Sequence, residues 1–145
     1  MFIKLTNGIP ETYTIGQLRR DNPQTSFPKD IPTDMLAAYD VYPVKRVPVP
    51  DHSRLTQTVK AGSPVEIGGE WVQQWDVLEL PLEKAEANVR GKRSSLLAQS
   101  DWVVPFYLEK GQPVPQEWQD YRQALRDIPQ QEGFPYAVIW PTKPE

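Results

Sequence analysis

Arg93–Pro141 reads RSSLLAQSDWVVPFYLEKGQPVPQEWQDYRQALRDIPQQEGFPYAVIWP, and the folding of this stretch decides the rest. It holds three of the five tryptophans, Trp102, Trp118 and Trp140. The spacing predicts two helices joined by a Pro-containing loop, followed by a short apolar tail. The first helix is expected to end near Ser100–Asp101. Behind Pro115, the residues Trp118, Tyr121, Leu125 and Ile128 recur at helical spacing and so share one face. Pro115 suits the position before a first turn, and Pro129 stops the helix after Ile128. Glu117 and Asp120 lie near the positive end of the helix dipole, which favours them. Wide rings at such positions serve either as core anchors or as the walls of a groove for a partner. Both readings stand at this point.

Toward the amino terminus, Pro81 opens the longest predicted helix, Leu82 to about Ser100. Its apolar stripe is Leu82, Ala85, Val89, Leu96 and Leu97, with Arg93 interrupting that side. Glu86 and Arg90 are four apart and can pair on the exposed face, for ~0.2–0.5 kcal/mol. Gly91 costs about 1 kcal/mol in a helix interior, so a kinked or two-part helix is expected. Before Pro81, β-branched residues and glycine pairs predict strands at Leu55–Ala61, Pro64–Ile67 and Glu70–Leu80. The turns between them are placed at Gly62-Ser63 and Gly68-Gly69. Trp71, Trp75 and Leu78 also fit helical spacing, but the Gly-Gly turn leads directly into them and favours a strand. A meander of this kind leaves free edges open to pairing by another chain.

The first fifty residues are cut into shorter pieces. Phe2–Leu5 and Glu11–Thr14 predict a hairpin around Asn7-Gly8. Ile15–Arg20 predicts a short helix capped by Thr14 and broken by Asn22-Pro23. Thr25–Pro28 reads as extended. A second short helix starts near Thr33, with Met35, Leu36 and Tyr39 on one side. Tyr42–Pro50, YPVKRVPVP, is extended and poor at donating ladder bonds, which makes it the candidate boundary. With little apolar periodicity, this part is expected to be poorly equipped to fold alone. The fold class expected is therefore α+β. It comprises a small amino-terminal α/β unit over 1–50, a short antiparallel meander over 51–80, and a helical unit with an extended aromatic tail over 81–145.

Composition narrows the function. A chain of 145 residues is one or two small units, too short for a large enzyme pocket with lids. With no cysteine, disulfides and thiol chemistry are excluded. The start, MFIKLTNG, lacks the basic-then-apolar pattern of a signal peptide, and no apolar run approaches a membrane span. The chain is thus expected to stay in the cytoplasm where it is made, or in a particle assembled there. A net charge of −3 with mixed signs gives no case for nucleic acid, and Arg90, Lys92 and Arg93 suit a helix end instead. Sixteen prolines, scattered over the chain, point to short elements joined by extended connectors that gain order on a partner.

No catalytic, cofactor or metal site is expected. His52, the one histidine, lies in a polar loop, and carboxylates alone remain as further ligands. Neither a nucleophile-elbow sequence nor a phosphate-binding glycine pattern is present. Asp101 reads as a helix terminator or cap. Arg122 and Arg126, four apart, form a solvated face, make internal ion pairs or hold a partner carboxylate.

Three ordered pieces remain: R-x-x-L-L-x-x-S-D-W from Arg93 through Leu96, Leu97 and Asp101 to Trp102; W-x-x-Y-R-x-A-L-R-D-I from Trp118 through Tyr121, Arg122, Leu125, Arg126 and Asp127 to Ile128; then G-F-P at Gly133–Pro135 and W-P at Trp140-Pro141. This set resembles the tail-assembly-chaperone domain of tailed bacteriophages. Val103–Tyr107 is more apolar than in many relatives. TIGQLRRDNPQTSFPKDIP and YDVYPV, at Thr14–Pro32 and Tyr39–Val44, are also similar to the front of phage proteins carrying this domain. The resemblance implies a non-enzymatic, cofactor-free tail fibre assembly chaperone that binds a tail fibre protein in the host cytoplasm. The alternative is a structural virion component retained on the fibre or baseplate. The expected partner contacts are Phe106, Tyr107, Phe134, Tyr136 and Trp140, in loops or tail held extended by Pro105 and Pro135. Alternatively, these rings fold back onto the helices.

Overall fold

The computed structural model describes residues 1–145 and is α+β, with a five-stranded mixed sheet and a set of helices. Two compact units divide the chain: Met1–Asp51 with Val59–Val77, and His52–Thr58 with Leu78–Glu145.

In the first unit, β1 (Phe2–Thr6) and β2 (Ile9–Tyr13) form the expected hairpin. Asn7 and Gly8 both take positive φ, 53° and 80°, so the two-residue loop matches the strand twist. α1 (Ile15–Asp21) starts where the Thr14 hydroxyl accepts the Gln17 amide at 3.1 Å. α2 (Thr33–Ala37) precedes β3 (Val41–Lys45). β3 lies inside the sheet, whose order is β2-β1-β3-β5-β4. It is antiparallel to β1 and parallel to β5, with Val44 opposite Trp71. After Lys45 the valine-proline run leaves the sheet, and the Trp75 indole donates to the Val47 carbonyl at 3.1 Å.

β4 (Gln57–Ile67) and β5 (Glu70–Glu79) are joined at Gly68-Gly69, both at positive φ. The turn expected at Gly62-Ser63 does not form, and both residues sit within β4. Space at Gly62 is tight, since a Cβ would lie 3.2 Å from the Asp76 carboxylate oxygens. The first unit has a buried apolar cluster. Tyr13, Leu18, Leu36 and Val41 bury together, with Phe2, Ile15, Phe27, Ile31 and Tyr39 packed around them. Each element supplies only one or two of these residues, so no periodic stripe advertises the cluster.

In the second unit, α3 (Leu82–Gln99) buries Ala85 and Val89 and runs through Gly91 without a break. Its flank is tied to the preceding segment by Asn88, which donates to the Leu55 carbonyl at 2.9 Å. α4 (Val103–Glu109) and α5 (Gln116–Asp127) follow, then a 3-10 turn at Ile128–Gln130 that carries Pro129. The core is Val89, Val103, Trp118, Tyr121, Leu125 and Ile128, which decides for Trp118 and Tyr121 in favour of anchoring. The extended conformation expected around Pro105 is replaced by α4. Pro105 is third in that helix, within the first turn, where its missing N–H has no intrahelical carbonyl to lose. Pro135 likewise lies in a run of turns, closed by a bond from the Ala137 amide to the Gly133 carbonyl at 2.6 Å.

Two substitutions should move stability in opposite directions. Trp118→Ala empties a nearly fully buried site and should cost about 3–5 kcal/mol. At Gly91 a Cβ meets nothing within 4 Å, so Gly91→Ala should add about 0.5–1 kcal/mol. Urea titrations of both variants check the signs. The first unit also has a distinct alkaline limit. Burial, then the hydrogen bond to Asp21, pushes the Tyr13 hydroxyl from 10.0 up to about 12. Between those values the unfolded chain releases a proton that the folded one keeps. Stability linked to Tyr13 is therefore intact below pH 10.0 and lost as pH rises toward about 12. Chemical denaturation at stepped pH should show that decline reduced in Tyr13→Phe.

Candidate functional site

The motif residues converge where α3 ends. The buried Ser100 hydroxyl donates to the Leu97 carbonyl at 2.8 Å, satisfying part of the helix terminus. Arg122, one turn after Trp118 on α5, reaches the same point. Its guanidinium donates to the Leu97 carbonyl at 3.1 Å, to Ser100 Oγ, and to Asp101 Oδ1 at 2.9 Å. The Arg122 side chain is only 12 % exposed, whereas Asp101 is 66 % exposed. A cation at the negative end of α3 also suits the helix dipole. Arg122 is thus an internal clamp, and the internal ion pair is the alternative realised for it.

Around this clamp the rings meet edge to face. Trp102 lies 5.7 Å from Trp118 and 5.6 Å from Phe106, Phe106 lies 5.1 Å from Tyr107, and Trp118 lies 5.9 Å from Tyr121. Offsets and tilts of this kind suit the aromatic quadrupole. Leu96 and Leu97 pack against the core from α3. Arg93, one turn earlier, has a buried Nε without a hydrogen-bond partner. Asp127 accepts from Gln123 at 2.9 Å, and Arg126 is exposed and makes no ion pair.

The tail folds back within the second unit. The Gln131 carboxamide bonds both the N–H and the carbonyl of Ile139, at 2.9 Å each. Tyr136 donates to the Leu80 carbonyl at 2.7 Å. Arg90 covers the Phe134 ring at 5.1 Å, and Lys92 covers Trp140 at 4.3 Å. Gly133 accounts for the glycine of G-F-P, because a Cβ there would lie 2.5 Å from the Ala137 carbonyl oxygen.

The five expected contact residues therefore divide. Tyr107, Phe134 and Trp140 pack against the core, while Phe106 and Tyr136 remain 40 % and 37 % exposed. Phe106 and Tyr107 stand on α4 rather than in a loop. Their neighbours Trp102, Val104 and Leu108, absent from that expectation, are exposed as well, Leu108 at 75 %. The solvent side of this one helix is thus largely apolar. The signal that locates it is V-V-P-F-Y-L read as a helix with proline in its first turn. Beside α4, a cleft of about 580 Å³ is lined by Val104, Val114 and one side of α5 from Gln116 to Arg126. No group of three His, Asp or Glu side chains is placed to hold a metal ion, and no helix is long and apolar enough to cross a membrane.

The clamp makes a sharp prediction. Arg122→Ala strips charge-assisted bonds from a mostly buried group and should cost about 1.5–3 kcal/mol. Asp101→Ala removes an exposed partner and should cost no more than about 1 kcal/mol. Equal shifts in thermal midpoint for the two variants would show that the ion pair, not the capping of α3, carries the effect.

A family model described as phage tail assembly chaperone protein matches residues 86–145. Comparison with curated proteins and with solved structures gives no match. The matched stretch begins inside α3 and takes in the Arg122 clamp, the aromatic series, α4 and the folded-back tail. Residues 86–145 of this chain are thus similar to the phage tail assembly chaperone family.

Proposed function

We propose that this protein is a tail fibre assembly chaperone, which binds a tail fibre protein without catalysis and aids its folding, trimerisation or attachment. The family match supports a role in tail assembly, and the apolar outer side of α4, inside the matched stretch, is the observation that carries the binding reading. Fibre subunits expose apolar surface and unpaired strand edges before they trimerise, and such species aggregate. A binder that covers this surface removes the competing route. Preferential binding to the assembly-competent state stabilises it without any input of energy. Phe106 is the aromatic contact we place at the centre of the surface, flanked by Trp102 and Leu108. Tyr107, Phe134 and Trp140 support the helices that present it.

Co-expression with the tail fibre protein of the same phage tests this reading. Soluble trimeric fibre should rise when the chain is present. Phe106→Ala should weaken capture about 30-fold, the equivalent of about 2 kcal/mol for an aromatic hot spot. Equal yields of trimer with and without the chain would overturn chaperoning, and co-purification with finished particles would then favour a retained virion component.

A further inference from the structure

β4 ends the sheet on one side. The order β2-β1-β3-β5-β4 gives it β5 as its one neighbour, so a row of its backbone N–H and C=O groups has no strand to pair with. It has eleven residues, against five for β2 at the other edge. Its Val59–Ile67 part lies within the first unit, outside the stretch that the family model matches. Along a strand, successive side chains point to opposite sides. One side of β4 carries Val59, Ala61, Ser63, Val65 and Ile67, and both Val65 and Ile67 are exposed. The other carries Lys60, Gly62, Pro64 and Glu66. Lys60 and Glu66 are exposed, and neither forms an ion pair within the chain. Ser63 is the midpoint between them, three residues from each.

We propose that β4 pairs edge to edge with β4 of a second copy of this chain, antiparallel about a two-fold axis at Ser63. That axis sets Lys60 opposite the partner's Glu66, Val59 opposite the partner's Ile67, and Ala61 opposite the partner's Val65. Each contact occurs twice, once on either side of the axis, and opposite charges and β-branched pairs are favourable cross-strand neighbours. The charges also select the register. A slip of one residue sets both against valines, Val65 and Val59. A slip of two sets Lys60 against Pro64 and Glu66 against Thr58, or, the other way, against Gly68 and Gly62. Pro64 lacks a donor for the ladder, as suits an edge strand, and the residue facing its ring across the axis is Gly62, which has no side chain. The carboxylates of β5 do not upset this balance. Glu70 is paired with Lys45 at 3.2 Å, Glu79 ends the strand, and Asp76 sits behind Gly62. Two copies of Asp76 would stand three strand spacings apart, about 14 Å, beyond the screening length of about 8 Å. Lys60 and Glu66 would stand directly opposite each other, at about 5 Å between Cβ atoms. Pairing through β4 is independent of what α4 binds.

The chain has no cysteine, so Ser63→Cys introduces a single thiol, placed on the axis opposite its own copy. In the full chain at about 100 µM, a concentration suited to a small interface, mild oxidation should give a disulfide-linked dimer. It should form at least about tenfold faster than with Ile67→Cys, whose two copies lie about 27 Å apart along the ladder. Sedimentation equilibrium of the unaltered chain should show a dimer that grows with concentration. Lys60→Glu and Glu66→Lys should each weaken it about tenfold by setting like charges opposite, and the two together should restore it. Both positions are exposed, so thermal melting of all three variants should match the unaltered chain. A chain that stays monomeric, with Ser63→Cys oxidising no faster than Ile67→Cys, overturns the proposal. So does a dimer indifferent to the charge exchanges, which would place the contact elsewhere. In cells producing the tail proteins of the phage, a monomer whose Ser63→Cys thiol links to a tail protein would give the edge to that protein and overturn self-pairing.

Discussion

The second unit depends on the way Arg122 ends α3. A helix terminus leaves carbonyls without partners, and burying one uncapped is costly. Ser100 alone cannot cover the end, because its single hydroxyl donates once, to Leu97. Arg122 adds a donor from α5 to the same Leu97 carbonyl and another to Ser100 Oγ, and carries a charge that suits the helix dipole. Asp101 then offsets that charge at the surface. One side chain therefore caps α3, fixes α5 against it and holds the start of the segment leading to Trp102. The aromatic packing follows from this placement, since Trp102 meets Trp118 just one residue beyond Asp101.

Proline acts through position rather than number. Pro81 and Pro115 stand just before α3 and α5, and Pro129 lies in the 3-10 turn that succeeds α5. Pro105 enters α4 in its first turn. Before α3 and α5 and in the first turn of α4 the missing N–H has no helical acceptor to forgo, whereas Pro129 ends α5 by withholding a donor from its last carbonyls. Pro43 is harder to place, because it lies in β3 between two neighbouring strands. The short register of β3 with β5, confined to Val44 and Lys45, fits a strand that cannot donate along its whole length.

What was legible in the sequence was local. The Asn7-Gly8 hairpin, the Thr14 cap, the Gly68-Gly69 turn and the helices behind Pro81 and Pro115 all follow from signals within a few residues. Gly62 shows the limit. Gly-Ser is a turn signal in sequence, yet the tight space at the Gly62 α-carbon comes from Asp76, fourteen positions away on β5. Arg122 shows it again: its motif is visible, but its partners lie 21 to 25 residues earlier. At Pro105 the sequence signal itself has two meanings, breaker and first-turn residue, and only the packing of Val103 into the core selects the second. That choice turns a presumed extended strip into a helix and brings Val104 and Leu108 into the exposed surface.

The exposed side of α4 differs from an accidental hydrophobic patch in how firmly it is held. A loose apolar surface loses side-chain freedom on binding, about 0.5–1.5 kcal/mol for each immobilised group. Trp102 and Phe106 have surrendered much of that freedom already, since each ring is braced edge-on by another and Trp118 beneath them is buried. Lys110 lies 4.0 Å from the centre of the Phe106 ring, shielding it with a solvated charge while no partner is present. β-branched Val104 has few rotamers to lose. Leu108 is the freest of the group and the most exposed, so it pays the largest ordering cost and gains the largest buried area when covered. Under the proposed binding role, a short helix with an edge-braced aromatic flank and one exposed leucine has little side-chain freedom left to lose on contact.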